Sequence, residues 1–228
     1  MSKQQKVVFI ALFAVLGFIA LQIPVATLHG SKSAFTLFDF FGPIASGFIG
    51  TWLGVLAVAI MQLVNFLVHG ANILDAGTII RFFPMLFAAF YFAKFRRWNI
   101  IIPALAIIAF VANPVGRQVW YFSLFWLIPI AMAFFQERSL IARTLGTTFA
   151  AHAVGGALWV WFVGLPASVW QSLIPIVIRE RLIFAAGIAV SYLVFNNILA
   201  LAAKRVPRLQ SLVNQKYALI LPPSPLLP

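Results

Sequence analysis

The chain has 228 residues, of which 63% are hydrophobic and only 9% carry charge. Soluble domains average roughly 25% charged residues, so this composition excludes an ordinary soluble domain and indicates a membrane protein. The net charge of +12 comes from Lys and Arg residues in short groups between apolar segments. That distribution is typical of membrane-protein loops and not of a basic binding face, so no nucleic-acid partner is expected. With no cysteine, disulfides and thiolate metal sites are excluded.

Three apolar segments have the length of a membrane span, which needs about 20 residues. They cover residues 7–28, 144–164 and 182–203. The first continues through Gln22 and Pro24 without a small-residue cleavage site, so we expect a retained span and not a signal peptide.

Four further apolar segments are less regular: residues 34–69, 78–93, 100–112 and 119–135. The first would reach about 54 Å as one helix, which is too long for a single span. We therefore predict a short or re-entrant piece and then a long helix, separated at Gly42-Pro43. The third segment is too short to cross alone, and with the fourth it predicts a hairpin that turns at Asn113-Pro114.

These segments predict an all-α, polytopic membrane helical bundle with about six to eight hydrophobic passes. Residues 1–203 form a single integral membrane domain, and residues 204–228 form a cytoplasmic tail that is basic and, in LPPSPLLP, proline-rich.

Lys and Arg are enriched in cytoplasmic loops, and their distribution here favours cytoplasmic termini. If residues 34–69 and 100–135 each make two passes, eleven Lys and Arg lie inside and four outside, the outer ones being Lys32, Arg117, Arg179 and Arg181. A single pass for residues 34–69 places the N-terminus outside and gives ten against five. Both arrangements put the C-terminus in the cytoplasm and the uncharged loop 164–175 outside.

Small residues recur every fourth position at Gly42, Ser46, Gly50 and Gly54, which would line one ridge of a helix. Two further ridges follow: Thr147, Ala151 and Gly155, and Ala142, Gly146 and Ala150. Such ridges let helix backbones approach closely in lipid. We expect packing within the chain, and docking of a partner subunit is the alternative.

Polar side chains inside spans are costly, so each needs a reason. Arg81 either snorkels to the surface or faces a polar cavity. The amides of Gln62, Asn65, Asn196 and Asn197 are expected to hydrogen-bond between helices.

His152 lies near the middle of segment 144–164 and needs partners for two ring nitrogens. Trp159 lies seven residues later, on nearly the same helical face. An aromatic wall with an oriented polar group is typical of a small-molecule pocket, and a packing role for the histidine is the alternative. We predict a pocket formed by His152 and Trp159, with Asn65 and Asn196 as polar candidates from across the bundle and the loop around Trp170 closing it. Arg81 is a further candidate.

Several catalytic motifs are missing from the chain. Without a GxxxxGK[ST] loop it cannot drive transport with ATP by itself, and HExxH is absent. The acids Asp39, Asp75, Glu137 and Glu180 have no metal or acid/base spacing, and His29 and His69 lie near span ends. No metal, cofactor or enzymatic activity is expected.

Three segments carry a family resemblance: FDFFGPIASGFIGTWLGVLAV at 38–58, FAAHAVGGALWVWF at 149–162 and IPIVIRERLIFAAGIAV at 174–190. They resemble the S components of energy-coupling-factor (ECF) transporters, prokaryotic membrane proteins that bind vitamins or related small molecules. The family's Gly-Pro entry falls on Gly42-Pro43. Its histidine, small residues and aromatic fall on His152, Gly155, Gly156 and Trp159, and its charged helix entrance falls on Glu180 and Arg181.

The resemblance implies a core of six helices, with the hairpin 100–135 as an addition. It also implies a ligand pocket toward the outer face and, as partners, a membrane coupling subunit and a pair of ATPases.

The sequence thus favours a subunit in the cell membrane that binds a vitamin-type small molecule for uptake and is surrounded by membrane lipid. A membrane scaffold or assembly protein that packs against another subunit is the second interpretation, and a membrane enzyme is the third. A deep cavity joining His152 to the outer loop would favour transport, a solid bundle the scaffold, and a cluster of convergent acids or histidines the enzyme.

Overall fold

The computed structural model describes residues 3–27, 34–69 and 76–219. Their first helix is α1 (Lys3–Leu21). It ends before the predicted residue 28 because Ile23 precedes a proline, and a residue in that position is restricted toward extended conformations. Two short antiparallel strands follow, β1 (Pro24–Thr27) and β2 (Ala34–Thr36). All other regular elements of the described residues are helices, so the all-α prediction is confirmed apart from this hairpin.

Residues 38–69 form two arms that fold back on each other at Gly50. The first arm contains α2 (Phe38–Phe41), a 3₁₀ turn (Gly42–Ile44) and α3 (Ala45–Ile49), and the second is α4 (Thr51–His69). Gly50 has φ 88°, a conformation that favours glycine. The predicted short piece before a long helix is confirmed. The predicted break at Gly42-Pro43 is wrong, because this proline begins a helical turn, where no backbone donor is needed.

The ridge Gly42, Ser46, Gly50 and Gly54 is not continuous, since the helix breaks at Gly50. Ser46 and Gly54 nevertheless meet across the break, where a Cβ on Gly54 would overlap the Ser46 backbone. The Ser46 hydroxyl donates to the Pro43 carbonyl at 3.0 Å and also contacts the Ala89 carbonyl. These small residues therefore join the two arms to each other and to the backbone at Ala89 within the same chain.

The next elements are α5 (Ala76–Ala93), α6 (Trp98–Ala112), α7 (Pro114–Gln118), a 3₁₀ turn (Trp120–Trp126) and α8 (Leu127–Ala133). The last two pack back on α6, which confirms the predicted hairpin. Asn113 makes its turn by accepting hydrogen bonds from the N–H groups of Val115 (2.9 Å) and Gly116 (3.3 Å).

The last two helices are α9 (Leu140–Phe162) and α10 (Ala167–Ala203). The pair α5 and α9 makes the most extensive helix contact, with Gly146 against the ring of Tyr91. α10 begins well before the predicted residue 182, so the predicted loop 164–175 shrinks to residues 164–166. Pro175 lies inside α10. Neighbouring helices can compensate for the donor that such a proline removes.

The described part of the tail, residues 204–219, packs against α10. Fully buried Asn196 donates to the Asn214 carbonyl at 3.0 Å and accepts from the Asn214 N–H at 2.7 Å. Asn197 donates to the Tyr217 carbonyl at 3.1 Å. Residues 220–228, which include the proline-rich end, lie outside the described residues.

The connections of the bundle sort to two ends. At one, the basic end, the Phe95 N–H donates to Glu137 Oε1 at 3.2 Å, and Lys216 Nζ donates to the Arg138 carbonyl at 2.6 Å. The Lys and Arg residues in and near these connections are Lys94, Arg96, Arg97, Arg138, Arg143, Lys204, Arg205, Arg208 and Lys216. The β-hairpin, the Asn113 turn and residues 164–166 lie at the other end of the helices.

By length and composition, two of the described helices could cross a membrane, namely Thr51–Val68 within α4 and the helix α10. Shorter apolar helices surround them, among them Ile79–Ala93 and Trp98–Ala112.

We predict that Gly54→Leu destabilises the fold, because its side chain would collide with the Ser46 backbone, which cannot rotate away. Overpacking of this kind costs about 1 to 3 kcal/mol or more. Thermal unfolding in detergent should show the loss, whereas Val64→Leu, at an exposed position of the same helix, should leave the unfolding temperature unchanged. Equal unfolding temperatures for both variants would contradict the close contact between the arms.

Candidate functional site

A cavity of about 190 Å³ opens at the end of the bundle opposite the basic end. Its walls come from α1, β2, α2, α4, α5, α9, α10, the 3₁₀ turn Trp120–Trp126 and the connection 164–166. We call this end the cavity end. The helices contribute to it only through the parts nearest this end, such as residues 80–85 of α5 and 151–159 of α9.

Four of the six residues predicted to bind a ligand line this cavity: Arg81, His152, Trp159 and Trp170. Arg81 thus lies at a polar cavity, the second of its two predicted environments. Trp170 reaches the wall from the first turn of α10 and not from a loop. The fold brings these residues together, and ligand binding by them stays a prediction.

The other two predicted residues, Asn65 and Asn196, do not line the cavity. Asn65 Oδ1 accepts a hydrogen bond from Gln22 Nε2 at 2.9 Å, which ties α4 to the end of α1. Asn196 is saturated by the backbone of Asn214, far along α10 from the cavity. Their placement in the pocket is therefore corrected: both amides serve contacts within the chain. Gln62, one turn before Asn65, lines the cavity in its place.

His152 is oriented by a tryptophan from the hairpin. Trp126 Nε1 donates to His152 Nδ1 at 3.1 Å, and Trp126 is fully buried. An imidazole that accepts at Nδ1 carries its proton at Nε2 in the neutral form, so it has one N–H left to donate. The rings of Phe122, Phe125 and Phe149 lie between 5.5 and 6.4 Å from the imidazole. Trp126 was not predicted, because nothing in its local sequence distinguishes it from other apolar residues.

Arg181 is the buried charge of the cavity wall, with 5% of its surface exposed. Its Nη2 lies 3.6 Å from Glu180 Oε2, and its Nη1 donates to Thr148 Oγ1 at 3.4 Å. The guanidinium also contacts two adjacent aromatic rings, 4.3 Å from the centroid of Phe184 and 5.1 Å from that of Phe35, and these two centroids are 4.9 Å apart. Cation–π contacts of this kind stabilise a desolvated charge.

Asp39 brings a second acid to the same wall. Its Oδ2 accepts from the Thr36 N–H at 2.7 Å, which fixes the carboxylate at the start of α2. Asp39 lies within electrostatic range of both Arg81 and Arg181. The lining therefore contains two acids, Asp39 and Glu180, and two arginines, so its formal charges balance. No sequence pattern indicated this balance of charges, since the four residues lie in three distant segments.

Two buried donors at the cavity, Trp170 Nε1 and Arg181 Nε, have no hydrogen-bond partner among the described residues. The third buried polar atom without a partner in that part of the chain is an acceptor, Asn99 Oδ1, near the basic end. Leaving a buried donor unpaired costs about 1 to 3 kcal/mol, so such groups are rare in proteins and call for an explanation. Both side chains line one cavity, and this coincidence is the strongest sign of a binding site.

Metal binding finds no support in the part of the chain that the structure describes, where no three His, Asp or Glu residues form a group that could hold an ion. His29 and Asp75 lie outside the described residues.

Comparisons of the chain with protein-family profiles, with curated proteins and with solved structures found no match.

We predict that in Trp126→Phe the neutral His152 ring populates both tautomers, because the phenyl ring keeps the packing but donates no hydrogen bond to Nδ1. Nitrogen-15 NMR of histidine-labelled protein should show Nε2–H alone in the parent and a mixture of tautomers in the variant. Stability should fall by about 1 kcal/mol. Trp120→Phe, at an exposed position, serves as the control. An unchanged His152 signal would show that another group selects the tautomer.

Proposed function

We propose that this protein is a membrane-embedded subunit that binds a small molecule for uptake, in the manner of the S components it resembles. The observation that carries the proposal is the cavity, which unites His152, Trp159, Trp170 and Arg181 from two helices at the end opposite the basic connections.

The exterior of the bundle supports a position in lipid. On α4, Trp52 is 69% exposed and Leu67 is 62% exposed. The other exposed large apolar residues of this helix lie on the same side as these two. α10 exposes a similar series that includes Leu182, Val190 and Leu201. Apolar surface this continuous is unfavourable in water and favourable against hydrocarbon chains. We infer that the other long apolar helices cross the membrane with α4 and α10.

The orientation follows from the charges. The basic end collects most of the Lys and Arg residues, which favours the cytoplasm for that end and for both termini. This arrangement counts the folded-back arms at Gly50 as two passes and the hairpin of α6 and α8 as two more. The cavity then faces outside, where a nutrient would arrive.

The lining has the chemistry of a small-molecule site. Ligand pockets are mostly apolar and aromatic, with a few polar groups that orient the ligand. Here Phe122, Trp159 and Trp170 supply aromatic surface, and His152 and Arg181 supply polar groups. A scaffold whose small residues dock a partner has less support, because Gly54 and Gly146 already contact Ser46 and Tyr91 of the same chain.

Energy for transport would have to come from other proteins, since the chain has no phosphate-binding loop. The partners that the resemblance implies, a membrane coupling subunit with ATPases, fit this requirement and belong to the same proposal. The cytoplasmic basic end is the side from which ATPases would act.

We predict that single cysteines at Ser168 and Ser211 are labelled from opposite sides of the membrane. Both positions are exposed, the chain has no cysteine of its own, and α10 separates them by about 50 Å. An impermeant maleimide should label Ser168→Cys in intact cells and Ser211→Cys only after lysis. The reverse pattern would overturn the orientation.

We also predict that a compound retained by the protein in mild detergent depends on His152. Replacing His152 alone would leave Trp126 Nε1 unpaired, so the test compares His152→Ala/Trp126→Phe with Trp126→Phe. Mass spectrometry should show a loss of about tenfold in retained compound, the effect of one hydrogen bond in the upper part of its usual range. The two proteins should unfold at similar temperatures.

Asn65→Ala is the matched control, because this amide lies away from the cavity, and it should retain the compound like the parent. If the double variant retains as much compound as Trp126→Phe but unfolds earlier, His152 serves packing and the proposed site is wrong.

A further inference from the structure

We propose that the ligand of this cavity is a compact, planar, uncharged heterocycle that presents hydrogen-bond acceptors to Trp170, Arg181 and His152. This inference rests on the proposed function, since it specifies the chemistry of the molecule that the cavity binds.

The unpaired groups at the cavity are donors. Trp170 is 3% exposed and Arg181 is 5% exposed, and the Nε1–H of the first and the Nε–H of the second have no partner in the part of the chain that the structure describes. His152 adds a third N–H, because its Nδ1 is occupied by Trp126. Indole and neutral imidazole N–H groups donate to carbonyl oxygens and ring nitrogens without requiring a charge. A matching ligand therefore carries at least two acceptors.

The charges at the wall argue against a net charge on the ligand. Glu180 and Asp39 already balance Arg181 and Arg81. Carboxylates and phosphates prefer the two parallel donors of an arginine fork. Here Nη1 donates to Thr148 and Nη2 faces Glu180, so both terminal nitrogens are engaged, and Nε is the guanidinium nitrogen without a partner among the described residues. A single N–H can pair with a carbonyl oxygen or a ring nitrogen. A cationic group offers no acceptor to the three N–H donors of the cavity.

The shape of the wall favours a flat molecule. The rings of Phe122 and Trp170 meet edge to face, 5.0 Å apart, and Trp159 lines the same cavity. On α9, Gly155 and Gly156 lie between His152 and Trp159 in the same wall, where Gly156 leaves room for the ring of Trp126. Aromatic walls of this kind stabilise planar rings through offset or edge contacts.

Three matched probes test the charge: quinoline-4-carboxamide, quinoline-4-carboxylate and 1-methylquinolinium-4-carboxamide. They share a bicyclic ring and are neutral, anionic and cationic at neutral pH. Isothermal titration calorimetry on the full-length protein in detergent should give the neutral amide an affinity at least about tenfold higher than either charged probe. Tighter binding of the carboxylate or of the cation would overturn the proposal, and so would binding of none of the three.

Trp170→Phe tests the donor. It keeps an aromatic ring at the wall but removes Nε1–H, so affinity for the neutral amide should fall about tenfold. Trp120→Phe, an exposed tryptophan outside the cavity, should bind like the parent. Equal affinity in folded Trp170→Phe would overturn the role of this donor. If that variant does not fold, the ranking of the three probes on the unmodified protein still decides the charge.

Failure of this inference differs from failure of the proposed function. A preference for a charged probe that is lost in His152→Ala/Trp126→Phe would reject the neutral class but keep the cavity as a binding site. A retained compound that is indifferent to His152 would reject the site itself.

Discussion

The guanidinium of Arg181 is a charge buried near the middle of the bundle, and the surrounding structure has to compensate for its lost hydration. An unpaired buried charge costs several kcal/mol, so its neighbours are constrained. Glu180 lies beside it, Thr148 of α9 accepts a hydrogen bond, and the adjacent rings of Phe35 and Phe184 pack against it. These contacts join the β-hairpin, α9 and α10 at one point. The cavity lies against this group of residues.

Close helix contacts hold the walls of the cavity in place. Gly146 admits Tyr91 of α5, whose hydroxyl donates to the Pro129 carbonyl at 2.6 Å, and Gly156 admits Trp126. The hairpin of α6 and α8 is thereby brought against α9, where Trp126 reaches His152. The small residues of α9 consequently set both the packing of the bundle and the orientation of the histidine. In lipid, where the hydrophobic effect does not drive helices together, such contacts are the main source of association.

The buried polar groups at the two ends of the bundle differ in their hydrogen bonding. At the basic end, Asn99 Nδ2 donates to Gln136 Oε1 at 2.9 Å, and Asn196 and Asn197 bind the tail backbone, while the acceptor Asn99 Oδ1 has no partner among the described residues. At the cavity end, the buried atoms without a partner in this part of the chain are both donors, Trp170 Nε1 and Arg181 Nε. Two unpaired buried donors on residues that line one cavity are expected if a ligand binds there.

Composition and hydrophobic segments alone predicted the helical class, the division of residues 34–69 and the hairpin at Asn113-Pro114, because these depend on local periodicity and on proline and glycine. The shared face of His152 and Trp159 also followed from spacing within one helix. Only the tertiary structure decided the rest. It moved the break to Gly50, extended α10 to Ala167 and gave Asn65 and Asn196 to internal contacts. It also brought Asp39, Arg81 and Arg181 to one wall. The physical reason is that the partner of a buried polar group is chosen by packing between distant segments, which no local pattern of residues records.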